Sequence, residues 1–180
     1  THAHARIVSM DVAPARAAPG VLLVLTGHDA AEDGIGHFPV QVEVPAKPGT
    51  PPLHAPPRVI LQTERVRYVG DPVAAVVAET RAQALDALDL IEVEYEPLPA
   101  VTDTARALDP DAPVIWPERG SNLCVLWTNG REAETDAAFA GAHAAVALDL
   151  VQNRVAGNPM EPRVALGVWD AARERYDLTS

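Results

Sequence analysis

The sequence has a single cysteine, Cys124, so no disulfide can close inside the chain and no oxidising compartment is implied. Basic residues are scarce: 14 Lys and Arg stand against 25 Asp and Glu, a formal net charge of −11. A surface that acidic repels phosphate backbones, which excludes nucleic acid as an expected partner. No apolar run approaches the roughly 20 residues that a membrane-spanning helix needs. No basic segment followed by an apolar stretch marks a signal peptide either. A soluble, cytoplasmic chain is the resulting expectation. Catalytic signatures are also missing. The sequence contains no P-loop, no G-x-S-x-G and no H-E-x-x-H. The "GIG" at 34–36 is a lone Gly-x-Gly, without the third glycine and the helix that would cradle a phosphate.

What is present is a chain of 180 residues, 48% hydrophobic, enough for one globular core or for one domain plus part of a second. Thr1 stands directly before a strand-like "HAHARIV", and "YDLTS" stops in mid-strand at Ser180, so the sequence reads as a piece of something longer. Of its 17 prolines, seven (Pro39, Pro45, Pro48, Pro51, Pro52, Pro56 and Pro57) fall within 19 residues.

Periodicity divides the chain in two. "ARIVSMD" and "VLLVL" are apolar runs of strand length, and "APARAAPG" between them reads as one helical turn closed by Pro19-Gly20. "FPVQVEV" (38–44) alternates, with Phe38, Val40, Val42 and Val44 on one face. "PAKPGTPPLHAPP" (45–57) should run extended over the surface, either as a plain long loop or as a strap packed on a neighbouring domain. "VAAVVA" (73–78) reads as a fully buried strand. Thr80 and Gln83 form a candidate capping box for a helix with Ala84, Leu85, Leu88 and Ile91 on one side. "IEVEY" follows, with Ile91, Val93 and Tyr95 facing in and Glu92 and Glu94 facing out. Strand, helix and strand with about a dozen residues of crossover fit a βαβ unit, closed right-handed. "LDPDAPVIWPERGSN" (108–122) looks like a linker. Beyond it, "LCVLWTNG", "AAVALDLV", "VALGVWD" and "YDLTS" read as strands and "ETDAAFAGA" as one helix, the opening of a separate and incomplete sheet. The fold class is α+β.

Few residues are candidates for chemistry. His2 and His4 share a strand face, but two imidazoles without a third ligand make a poor metal site. His28, Asp29 and His37 flank "DAAEDGIG" in a spacing that matches no ligand pattern. Cys124, between Leu123 and Val125, reads as a buried small hydrophobe. Glu161, in "NPMEPR" between two prolines and beside Met160 and Arg163, is either half of a structural ion pair or a residue lining a site. No acid–base pair or triad can be assembled.

Four segments, "HAHARIVSMD", "PGVLLVLTGHD", "RVRYVGDPVAAVVAETRAQALDALDLIEVEYEPLPAV" and "NRVAGNPMEPRVALGVWD", occur in that order. Together they resemble the molybdenum-cofactor-binding large subunit of the xanthine dehydrogenase, aldehyde oxidase and aerobic carbon monoxide dehydrogenase family. The resemblance covers nearly the whole chain. Where that family often shows Gly-Glu-Pro, this sequence has Gly70-Asp71-Pro72. It implies that residues 1–115 are an α/β hammerhead domain and that 116–180 begin the first molybdopterin-binding domain. It further implies an intact enzyme that oxidises a heterocycle, an aldehyde or carbon monoxide. Molybdopterin would sit in the intact subunit, with iron–sulfur clusters and FAD on partner domains or subunits, and none of these on this chain alone. The family's glycine-rich cofactor loops and base glutamate match no segment here, so the resemblance supplies no catalytic residue. Met160 and Glu161 fall in a matching segment and are the two candidates for proximity to the active-site region. The reading from a different class is a free-standing acidic module that binds or assembles without catalysis. Its mark would be a closed sheet and tidy ends. An independent metalloenzyme built on the His and Asp residues is a third, lacking a ligand set.

Overall fold

The computed structural model describes residues 1–39, 44–152, 160–161 and 164–180. The chain separates into two compact units, Thr1–Gly130 and Arg131–Ser180.

In the first unit, β1 (Ala5–Asp11), a one-turn α1 (Ala13–Arg16) and β2 (Val21–Thr26) follow in the expected order, and α2 (Gly27–Glu32), a helix the periodicity did not predict, comes next. The helical turn starts where it does because Pro14 removes a donor that would be orphaned anyway, and because Asp11 Oδ1 accepts from the Ala13 N–H at 2.9 Å. Thr26 and Asp29 cap α2 reciprocally: the Asp29 N–H donates to Thr26 Oγ1, and the Thr26 N–H donates to Asp29 Oδ2 at 2.7 Å. That capping box is legible in "TGHD", yet the sequence reading passed over it.

After a long irregular stretch come β3 (Arg65–Val66), β4 (Ala74–Ala78), α3 (Arg81–Leu88) and β5 (Glu92–Pro97). Strand, helix and strand are present, but they do not lie in one sheet. β5 pairs antiparallel with β1, whose other edge takes β3, while β4 pairs antiparallel with β2 in a separate two-stranded sheet. The expected right-handed parallel crossover is therefore corrected. An alternating pattern specifies which face of a strand is apolar and says nothing about its partner, and both strands found antiparallel partners in the N-terminal segment.

The same pairing explains why β4 is only partly buried, with Val77 46% exposed. Helices cover one face of a two-stranded sheet and leave the other open. Small residues make the core: Ala15 of α1, Val24 of β2 and Ala87 of α3 are buried together, with Val21, Val76 and Ile91 packed around them. Burying Val24 contributes about 1.5–3 kcal/mol. Leu85 and Leu88, assigned to the inner face from the sequence, are instead exposed, and Ala87 holds the core position. Alanine there lets α3 approach the sheet and α1 closely. Thr80 caps α3 by accepting from the Gln83 N–H, while the Gln83 side chain turns to the Thr80 hydroxyl at 2.8 Å, so half of the expected box forms. Val93 and Tyr95 face in along β5 and Glu92 and Glu94 face out, as the alternation requires.

The stretch read as a linker is tied down by one side chain. Asn122 Oδ1 accepts from the Ile115 N–H at 2.9 Å, and its amide donates to the carbonyls of Ala107 and Pro113. Residues 123–127 then run along the proline-rich strap. The Lys47 N–H donates to the Leu126 carbonyl and the His54 N–H to that of Cys124. Cys124 is exposed, which corrects its reading as a buried hydrophobe. "LCVLWTNG" forms no ladder-paired strand. Of the alternating segment 38–44, residues 40–43 lie outside the described residues, so its expected face is not addressed.

The second unit contains α4 (Glu132–Ala140) and a hairpin of β6 (Leu166–Asp170) and β7 (Arg175–Thr179). Its turn is closed by Asp170 Oδ1, which accepts from the N–H groups of Ala172 and Arg173. Trp169 and Tyr176 sit side by side across the strands with ring centroids 4.7 Å apart. "AAVALDLV" forms no ladder-paired strand among the described residues, contrary to its reading as a strand. Among the described residues of this unit none is buried.

Candidate functional site

A roomy concavity of the first unit is built around the corner that follows β3. Gly70, at φ +93°, permits the turn, and the Asp71 N–H closes it onto the Tyr68 carbonyl. The Asp71 carboxylate then fixes the corner from within. One oxygen accepts from the Arg67 N–H and the other from Gln62 Nε2, each at 3.0 Å. The Gln62 N–H donates to the Pro72 carbonyl at 2.8 Å, binding the preceding segment to the same corner. Gly70-Asp71-Pro72 is thus architecture, a glycine turn pinned by its own aspartate.

Two further residues arrive from a distance. The Asn122 clamp presents Trp116, and the Arg67 guanidinium lies over its ring, 3.7 Å from the centroid. His54 approaches the same ring edge-on at 6.4 Å. Between them and residues 56–60 opens a cleft of about 560 Å³, lined by Phe38, Arg58, Gln62, Arg67, Tyr68 and Trp116 among others. Arg67 Nε is buried and has no hydrogen-bond partner among the described residues. Burial pushes the Arg67 guanidinium below its ordinary value, and the neighbouring Arg65 adds to this; Glu118, Asp71 and Glu64 oppose without cancelling it. The cleft can therefore hold an anion or a ring. Neither Trp116 nor Arg67 was singled out from the sequence, because no local pattern connects them.

The residues that were singled out stay apart. His4 is buried, with Nδ1 2.7 Å from the Pro99 carbonyl, and His2 stacks on Tyr95 with ring centroids 4.8 Å apart. Asp29 is occupied by its cap and by Arg16 at 3.2 Å, while His28 and His37 are exposed. Met160 and Glu161 are exposed, and their neighbours 153–159 and 162–163 lie outside the described residues. Among the described residues no three His, Cys, Asp or Glu side chains are grouped to hold a metal ion. The two close glycine approaches are internal. A Cβ on Gly20 would strike the Gln83 side chain, and one on Gly27 would come within 2.6 Å of the Gln62 carbonyl. Neither close approach is a cradle for a phosphate, because internal atoms fill both. No helix among the described residues is long and apolar enough to cross a membrane.

The fold defines a small α+β domain with a few short helices and antiparallel sheets. The family model for the a/b hammerhead domain of aldehyde oxidase and xanthine dehydrogenase matches residues 1–99. The chain belongs to that family. It is 34% identical to the carbon monoxide dehydrogenase large chain of Afipia carboxidovorans over 99% of its own length and 22% of the relative's. It is 35% identical to the nicotine 6-hydroxylase large subunit of Paenarthrobacter nicotinovorans, over 98% of this chain and 20% of that one. Among solved structures it is similar to a Cu,Mo-CO dehydrogenase, with a TM-score of 0.80 and 31% identity over 98% of this chain and 22% of the other. It is likewise similar to quinoline 2-oxidoreductase from Pseudomonas putida 86, with a TM-score of 0.78 and 35% identity over 98% of this chain and 21% of the other. The chain thus spans about a fifth of the length of the relatives it matches.

Proposed function

We propose that this chain is the scaffold portion of a molybdenum hydroxylase large subunit, whose intact enzyme oxidises a heterocycle, an aldehyde or carbon monoxide. On this reading residues 1–115 are the hammerhead domain. Residues 116–180 open the first molybdopterin-binding domain, and the first of them lie against the hammerhead. The observation that carries the reading is the continuous match of nearly the whole chain, in order, to one end-to-end portion of several such large chains. Molybdopterin belongs to the rest of the subunit, and iron–sulfur clusters and FAD belong to partner subunits or domains. No step of the reaction runs through residues described here. Met160 and Glu161 border the active-site region of the intact subunit. Replacing Glu161 by Ala in the full-length enzyme should change substrate kinetics, and unchanged kinetics would remove that assignment.

The central test has two arms. The 180-residue chain, supplied with molybdenum cofactor and an artificial electron acceptor, should turn over no carbon monoxide, aldehyde or N-heterocycle. Grafted in place of the matching portion of the Afipia carboxidovorans large chain, it should still co-purify with the iron–sulfur and flavin subunits. Turnover by the chain alone, or a graft that fails to assemble, would favour a free-standing module instead.

A further inference from the structure

We propose that the Arg67–Trp116 cleft is a binding site for a small aromatic carboxylate, a ligand with one anionic head and one flat ring. Three independent features of the cleft converge on that chemistry, and none depends on the scaffold reading above.

The first is an incompletely satisfied cation. Arg67 stacks on Trp116, yet its guanidinium makes no hydrogen bond to a carboxylate or carbonyl among the described residues, and its Nε is buried without a partner. Arg67 is half-buried, its Nε covered and its guanidinium bonded to no carboxylate among the described residues, so an incoming carboxylate could accept two of its N–H bonds at once. Asp71 does not meet that demand through its oxygens, because they already accept from the Arg67 backbone N–H and from Gln62 Nε2. Arg58 adds a second positive charge to the lining. The cleft wall therefore carries two arginines and one internally bonded aspartate, with the Glu118 and Glu64 carboxylates near Arg67 but not bonded to it.

The second feature is ring surface. Trp116, Tyr68 and Phe38 line the cleft, and the last two are more than half exposed although both are large and apolar. A planar ring can be sandwiched against such walls, whereas a bulky aliphatic group would forgo the stacking. The third is size. A cleft of about 560 Å³ falls within the range of small-molecule pockets. It is too confined for a folded partner to enter.

The ligand class can be tested with benzoate as the probe and benzamide as its neutral, isosteric control. The protein carries three tryptophans, so their indole N–H signals can be followed one by one in a nitrogen-labelled sample of the full chain, with Trp116→Phe identifying the relevant peak. Benzoate should shift the Trp116 signal saturably and leave those of Trp127 and Trp169 in place. Benzamide should bind at least about ten-fold more weakly. Arg67→Gln should abolish the benzoate shift, and Arg67→Lys, which keeps the charge but loses the planar fork, should weaken it about ten-fold. A Trp116 signal that does not move up to about 10 mM benzoate would overturn the proposal. So would equal binding of benzamide, a comparison that needs no variant and survives any misfolding of Arg67→Gln. A short peptide placing Glu beside Tyr that bound more tightly than benzoate would reassign the cleft to a protein partner and overturn it as well.

Discussion

Asp71 uses both of its carboxylate oxygens on its own corner, and that is a strong statement about a single residue. Replacing it by Ala leaves the Arg67 N–H and Gln62 Nε2 without their acceptor and should lower the unfolding free energy by about 1–3 kcal/mol. Urea denaturation followed by tryptophan fluorescence reads this directly. Two glycines separate conformational from steric cost. A Cβ on Gly70 meets nothing, but its φ of +93° is unfavourable to any L side chain, so Gly70→Ala should cost about 1–2 kcal/mol. A Cβ on Gly27 would sit against the backbone carbonyls of Gln62 and Leu61, which cannot swing aside, so Gly27→Ala should cost about 3 kcal/mol or more. Equal losses in the two variants would refute the distinction.

Asp29 gives the residue scale its pH dependence. Its carboxyl is held below the ordinary value first by the Thr26 hydroxyl, then by the Thr26 N–H and by Arg16, against a smaller opposing effect of desolvation. A carboxyl with a depressed folded value stabilises fully above its unfolded value, about 3.9. That stabilisation fades as pH falls through the lower folded value. Asp29→Asn should therefore lower the melting temperature at neutral pH and shrink its further drop below about pH 4. Parallel melting curves for the two proteins across that range would contradict the assignment.

At the scale of elements, β1 shows what a pattern can hide. The register slips between Ile7 and Ser9, leaving Val8 outward and carrying Met10 to the inner side of a strand whose earlier residues follow strict alternation. A bulge of this kind has no signature in "ARIVSMD". α3 inverts an expectation more consequentially. Its leucines face out and its alanine faces in, so Ala87→Leu should overpack the Ala15–Val24 core and cost about 1–3 kcal/mol. Leu85→Ala and Leu88→Ala should each stay within about 0.5 kcal/mol. The opposite ranking in thermal unfolding would restore the inner face assigned from the sequence. The Gly70 corner, the first helical turn and the in–out alternation of β5 were all legible, because each is set by neighbours a few residues away.

For the molecule as a whole, the two units differ in how much they bury. The first has a core and two sheets, whereas the second exposes Val146, Leu148, Leu150 and both strands of its hairpin. An isolated hairpin is marginal in water, and an extended segment without ladder bonds leaves its amides open to exchange. Hydrogen exchange on the 180-residue chain should find amides of 144–152 unprotected and those of β2 and β4 protected. Protection throughout 144–152 would show that this unit is complete as it stands. The paired aromatics Trp169 and Tyr176 give the hairpin a cross-strand ring contact.

The sequence by itself determined the family, the α+β class and the segments that became β1, α1, β2, β4, α3 and β5, because these rest on local spacing and on motifs read in order. Only the tertiary structure decided that β4 and β5 part company to pair with β2 and β1. It likewise decided that Asn122 orders an apparent linker and that Arg67 rests unpaired over Trp116. Each of these joins residues far apart along the chain. Their meeting is set by which partners the whole fold leaves available, and no window of sequence contains that information.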